Sequence, residues 1–394
     1  MQTGDDVLYR MTPLEIARGF VLDDDPARRV RPASSPPPDP RTVLEECLLR
    51  ALEYQPCVVA FSGGRDSSVL LALAVRVARR EGVPLPVPVT RRFPRFEDTR
   101  EDEWQELVIQ HLGVEEWVRV DLDDDALDLI GPVAGPRVRE HGVLWPPLLH
   151  QDEPAVAHAL GGAVIDGEGG DQVFGLDIHR IAPLVLAHRF PRYRAMRRLP
   201  GVAAALVPDP GQRAVSYHRL RTLEAEMPWL REAAMADLRR DLAREHGALP
   251  LRWDQSIRGL LHHRARRLGL GNRTELARRR RVEYIHPFLE PRFLESLARA
   301  GGPTSLGPRS EAMTSLFSDL LPRAVLRRRT KASFNPVVHG RFSREFAEQW
   351  DGSGVDERLV DLDRLHEEWR SPAPNGRTHA LLQAAWRHSQ LGSA

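Results

Sequence analysis

Lysine is almost missing from this chain: of 56 Lys and Arg residues in 394, only Lys331 is lysine. Such a skew marks a pressure toward arginine wherever any positive charge will serve, so the lone lysine reads either as a place where a guanidinium will not do or as a chance survivor on a solvated surface. Cysteine is nearly as scarce. Cys47 and Cys57 have no His/Cys cluster beside them, which excludes a disulfide scaffold and a cysteine-rich zinc site and predicts two buried thiols. No uninterrupted apolar run reaches the ~18 residues that a membrane span needs, and MQTGDDVLYR is acidic where a signal peptide would be basic and then apolar. The expectation is a cytoplasmic protein with no signal peptide and no membrane partner. A net charge of +1 offers no global attraction to nucleic acid, so the arginine runs at 278–281 and 327–329 read as solvated helix faces.

What is present is a globular composition, 42% hydrophobic and 28% charged, in a chain long enough for one large or two ordinary domains. Residues 1–40 end in RPASSPPPDP, which predicts an extended, poorly packed linker. Residues 41–55 space their apolar positions for a helix. Cys57 to Phe61 then reads as a buried strand and Ser67 to Arg80 as a helix. LPVPVT (85–90) is strand-like, its prolines pointing to an edge or a bend. TREDEWQELVIQHLG predicts a helix stopped by Gly113, EEWVRVDL a third strand, PAVAHALG a helix and GGAVIDG a fourth strand. Alternation of this kind predicts an α/β fold with a mainly parallel sheet covered on both faces. Beyond about residue 180 strand signals vanish and helices such as LREAAMADLRRDLAREHG and HALLQAAWRHSQL dominate. The expected organisation is an N-terminal extension (1–40), a main domain (41–345) whose α/β part runs to about 180 and whose helical part runs from 181, and a C-terminal helical tail (346–394).

The first strand runs into SGGRDSS at a strand-to-helix turn, where a parallel sheet opens a crevice and a helix offers unpaired N–H groups. Ser62, Gly63 and Gly64 let backbone approach an anion closely, and Ser67 and Ser68 add hydroxyl donors. This is a phosphate cradle, but neither a Walker loop nor a G-x-G-x-x-G turn.

These residues carry a resemblance. SGGRDSS resembles the pyrophosphate loop of N-type ATP pyrophosphatases, the adenine nucleotide alpha hydrolase-like fold that splits ATP between its α and β phosphates. DGEGGDQVFG (166–175) is similar to the S-G-E-G-x-D-E-x-F-G motif of asparagine synthetases, EYIHPFLE (283–290) to their E-x-x-x-P-F-L-D, and LLPRAVLRRRTKASF to their L-P-x-x-x-L-x-R-x-x-K-x-x-F. The resemblance implies ATP as cosubstrate, bound also through Gly167 and Gly169, with Mg²⁺ held by Asp66 and Asp171, one carboxylate from each of two loops. Each acid alone would pass as a helix cap at a glycine turn. Glu168 would deprotonate or orient an attacking amine, or serve as a structural cap. Lys331 would clamp the negative charge that grows during adenylation and in the tetrahedral intermediate.

Departures from the pattern direct the functional expectation. Gln2 stands where a glutaminase part would expose a nucleophilic cysteine, and only about forty residues precede the synthetase motifs, so glutamine hydrolysis is not expected of this polypeptide. Gln172 replaces an acidic residue, Leu176-Asp177 a Gly-Tyr pair and Ile285 an arginine, which removes support for aspartate as substrate. The same scaffold resembles β-lactam synthetases and lasso-peptide cyclases, in which a carboxylate is adenylated and an amine of the same substrate attacks. The expected function is such amide formation on a peptide or small molecule bearing carboxylate and amine, a lasso-type macrolactam foremost, with a partner protein of the same pathway. Competing readings are an ammonia-dependent amidating enzyme, a non-catalytic binding protein and a tRNA-modifying pyrophosphatase.

Overall fold

The computed structural model describes residues 8–96, 101–123, 125–175, 207, 209–328 and 335–392. Five strands form one all-parallel sheet in the order β3-β2-β1-β4-β5: β1 Cys57–Ala60, β2 Val87–Arg92, β3 Val118–Asp121, β4 Ala163–Ile165 and β5 Glu283–Ile285. The period of two sorts side chains between two cores. Cys57, Val59, Phe61, Ala163 and Ile165 face the helices α2 (Pro40–Leu52) and α3 (Arg65–Glu81) and the helix Pro291–Gly301. Val58, Val89, Val164 and Tyr284 face α6 (Glu153–His158) and the helix Arg264–Arg278. Helix α4 (Asp102–Leu112) joins β2 to β3, and α5 (Ala134–His141) with α6 lies between β3 and β4.

Two expectations are corrected here. Strand signals do not end near residue 180: β5 pairs with β4 at Ala163↔Glu283 and Ile165↔Ile285. At three residues it is too short to show an alternation. LPVPVT does not form an edge, because β2 lies between β1 and β3. The register explains how Pro88 is tolerated: its β1 neighbour is Val59, while β3 begins its pairing only at Val89, so the missing N–H breaks no bond on the outer side.

Both cysteines are free and buried, as expected. Burial pushes the Cys47 thiol up to about 11 and the Cys57 thiol to about 12. Neither thiolate is then populated near neutrality. Iodoacetamide should leave the native protein's mass unchanged at pH 7.5 and label both thiols in denaturant; rapid native labelling would contradict the packing.

The N-terminal segment folds back on the helical half. Helix α1 (Pro13–Arg18) opens with a capping box between Thr12 and Glu15, and Trp229 Nε1 donates to Ala17 O at 3.2 Å. Glu15 pairs with Arg264 at 2.6 Å and Arg18 with Asp241 at 3.1 Å. Ala17 thus joins a core of Trp229, Leu238, Trp350, Trp369 and Trp386. Residues 31–36 of the proline-rich stretch are exposed and carry neither helix nor strand.

Candidate active site

The chain lays β2 and β3 to one side of β1, then crosses to place β4 and β5 on the other. A crevice therefore opens at the carboxyl ends of β1 and β4, where loops diverge to opposite faces. The two glycine-rich motifs follow these two strands. Ser62 to Gly64 turns from β1 into α3, and Asp166 to Gly169 turns from β4 into the short helix α7 (Gly170–Val173). Gly63 has φ +81, which a side chain would strain, and an added Cβ there would press on Gln105.

Serine side chains hold the first loop from within. Ser67 Oγ lies 3.1 Å from Ser62 Oγ, accepts from Ser62 N and donates to Gly64 O, and Ser62 Oγ accepts from Gly64 N. Gln105 Nε2 donates to Ser62 O at 3.1 Å. Ser68, in contrast, is fully buried in α3 and its Oγ finds no partner among the described atoms. The second loop closes onto the first: a Cβ at Gly167 would meet Asp66 Cβ at 3.1 Å and Ser67 N at 3.3 Å, and one at Gly170 would overlap the Asp66 carboxylate. Gly169, at φ +90, packs against Leu289 of the third motif.

Asp66 and Asp171 are brought onto one guanidinium. Arg309 Nη2 lies 2.5 Å from Asp66 Oδ2, and Arg309 Nη1 bonds Asp171 Oδ1. Asp66 Oδ1 is buried with no partner among the described atoms. No cluster of three or more potential metal ligands occurs among the described residues. The arrangement offers a divalent cation two carboxylates and leaves its other positions to phosphate oxygens, a donor set that fits Mg²⁺.

Arg328, from the fourth motif, donates to Gly63 O at 3.0 Å, pairs with Glu101 at 2.5 Å and lies over the Trp104 ring. Both partners of this ion pair are buried, with side-chain exposures of 5% and 8%. Removing one takes a close ionic partner from a buried charge, so Arg328→Ala should cost on the order of 3 kcal/mol of stability, read in urea melts. An unchanged midpoint would contradict the described anchoring. Lys331, three residues further on, lies outside the described residues.

Compared with known families, residues 41–391 match Asparagine synthase, most of the chain. It belongs to the asparagine synthase family. Family membership makes the protein an ATP-dependent, AMP-forming amide ligase, and the all-parallel sheet is the nucleotide-binding layer the motifs predicted. A comparison with curated proteins found no match. No helix among the described residues is long and apolar enough to cross a membrane.

Within this family site, Glu168 is held on both oxygens. Arg266 lies 3.7 Å from Oε1 and Arg273 lies 3.4 Å from Oε2, both from the helix Arg264–Arg278. A carboxylate between two guanidiniums is an anchor as much as a base. Sequence reasoning passed over its neighbours. Asp166 accepts from Glu168 N at 3.1 Å and lies 2.7 Å from His286 Nδ1. Burial alone would raise the Asp166 carboxyl, but His286 and Arg273 reverse this and hold it below its usual range. The signal available was positional: both residues directly follow strands of the sheet, Asp166 after β4 and His286 after β5.

Beside Ser62 a small cleft of about 70 Å³ runs along the ends of β1 and β2, lined by Phe61, Val89, Arg91, Gln105 and Tyr284. A second cleft, about 230 Å³, lies between the N-terminal segment and the helical half and includes Asp23, Arg29, Gln172, Glu245, His263 and Arg266.

Proposed function

We propose that this protein adenylates a substrate carboxylate and joins it to an amine carried by the same substrate, closing a lactam. The observation that carries the reading is the meeting of two glycine loops at the sheet crevice, with Asp66 and Asp171 on one guanidinium and Glu168 beside them. ATP binds at the crevice beside Ser62, with its phosphates over Ser62, Gly63, Gly64 and Ser67 and near the backbone at Gly167 and Gly169. Asp66 and Asp171 hold Mg²⁺, which when bound neutralises charge on the phosphates.

The carboxylate oxygen attacks the α phosphorus, pyrophosphate leaves, and an acyl-adenylate remains. The amine then attacks the acyl carbon, AMP departs with its bonding electron pair, and the amine's proton passes to a base. Glu168, held in place by Arg266 and Arg273, orients that amine and takes its proton. Lys331 stabilises charge in both transition states. Holding amine and adenylate on one scaffold supplies up to roughly 7–11 kcal/mol for well-oriented groups.

Two features favour a larger substrate over aspartate with ammonia. Ile285 and Gln172 stand where the family resemblance places charged groups, and the second cleft, which Gln172 and Arg266 join to the Glu168 region, leaves space for a larger substrate. Its mixed acidic and basic lining suits a zwitterionic chain such as a peptide, and a peptide macrolactam is the product class we favour. Mass spectrometry of a reaction with ATP and a candidate peptide should show a product lighter by one water, formed one-for-one with AMP. Brisk asparagine formation from aspartate and ammonium would overturn the substrate while leaving the ATP chemistry in place.

A further inference from the structure

Arg309 lies in none of the four motifs, yet it holds the centre of the site. It is the first residue of the helix Arg309–Phe317, and its fork spans Asp66 from one glycine loop and Asp171 from the other. The side chain is 20% exposed, and its Nε is buried with no partner among the described atoms. Arg65 stands beside it and donates to Ser310 Oγ at 3.2 Å. Burial, then the Arg309 charge, pushes the Arg65 guanidinium below its usual range. Two adjacent cations are therefore balanced by two carboxylates, and any cation bound by those carboxylates must face Arg309.

We infer that Arg309 is an exchangeable counter-ion: it neutralises Asp66 and Asp171 before nucleotide binds, yields them to the divalent cation, and turns onto the pyrophosphate end of ATP. The proposal rests on the nucleotide reading above. Its physical basis is charge and shape. A guanidinium and a divalent cation a few ångströms apart repel one another even in water, and more strongly where water is partly excluded. A planar fork suited to two carboxylate oxygens suits two phosphate oxygens equally. Arg309 thus opposes the bare metal and assists the metal–phosphate complex, two effects of opposite sign on one residue.

That opposition is what an experiment reads without any acyl substrate. Manganese binding to the nucleotide-free protein is followed by electron paramagnetic resonance, and inorganic pyrophosphate binding with magnesium by calorimetry. Arg309→Met should tighten Mn²⁺ by about tenfold or more and weaken magnesium pyrophosphate by roughly 10- to 100-fold, the loss of a charge-assisted bidentate contact. Arg309→Lys, which keeps the charge but not the fork, should leave Mn²⁺ close to wild type and still weaken pyrophosphate. A residue that merely props the loops would weaken both ligands together in the Met variant, and that result, or no change in either, overturns the proposal. Wild-type protein that binds neither Mn²⁺ nor pyrophosphate removes the nucleotide reading and this inference with it; pyrophosphate binding that is intact and insensitive to Arg309 removes the inference alone.

Discussion

Asp66→Asn leaves the fold in place and lowers AMP formation by roughly 1000-fold, the several kcal/mol that a metal-borne charge supplies to phosphate transfer. The substitution is isosteric, so the close contact with Gly170 survives and only the charge is lost. Asp66 Oδ1 is buried without a partner among the described atoms, a costly state that a bound cation relieves and an amide does not. The loss should appear as a weaker dependence on magnesium as well as a slower rate, measured by following AMP release across a magnesium titration. Near-normal turnover in the Asn variant would reduce Asp66 to a first-turn residue of α3 and remove the cation from this site.

Lys331→Ala should lower turnover about 100-fold or more, the cost of losing one preorganised charge partner in a transition state, and Lys331→Arg should restore little of it. The chain uses arginine at every other Lys/Arg position, and that scarcity is the ground for expecting a compact ammonium to matter at Lys331. The structure adds a constraint from its neighbour: Arg328 ties the same motif to the Gly63 carbonyl and to Glu101 at the start of α4. Single-turnover measurements of acyl-adenylate formation and of amide formation separate the two roles. An arginine variant at the wild-type rate would end the argument for a specific clamp.

The parts of the fold readable in the sequence are those where one period dominates. β1 and α3 are buried on nearly every side, so their apolar runs ended where the elements end, within two residues. β5 escaped because three residues at a sheet edge carry no period, and its pairing is fixed by β4 more than a hundred positions earlier. Pro88 misled for a different reason: proline disfavours a strand with neighbours on both sides, and the staggered start of β3 removes that conflict without leaving a trace in the local sequence. The motifs located the glycine loops because their chemistry is local. They could not point to Arg309, which lies in none of them, nor to the pairing of Asp166 with His286, whose two motifs meet only because β4 and β5 are neighbours in the sheet. The fold-back of α1 onto Trp229 was equally hidden, since short amphipathic segments do not announce the surface they cover.

The most direct test of the whole account follows oxygen from the substrate carboxyl group into the nucleotide product. A peptide or small molecule bearing both carboxylate and amine, labelled with heavy oxygen in that carboxylate and turned over with ATP, should deliver one labelled oxygen to AMP for each lactam formed, with unlabelled pyrophosphate. Label appearing in orthophosphate alongside ADP would mean that the γ phosphate had been transferred, and would contradict adenylation at this site.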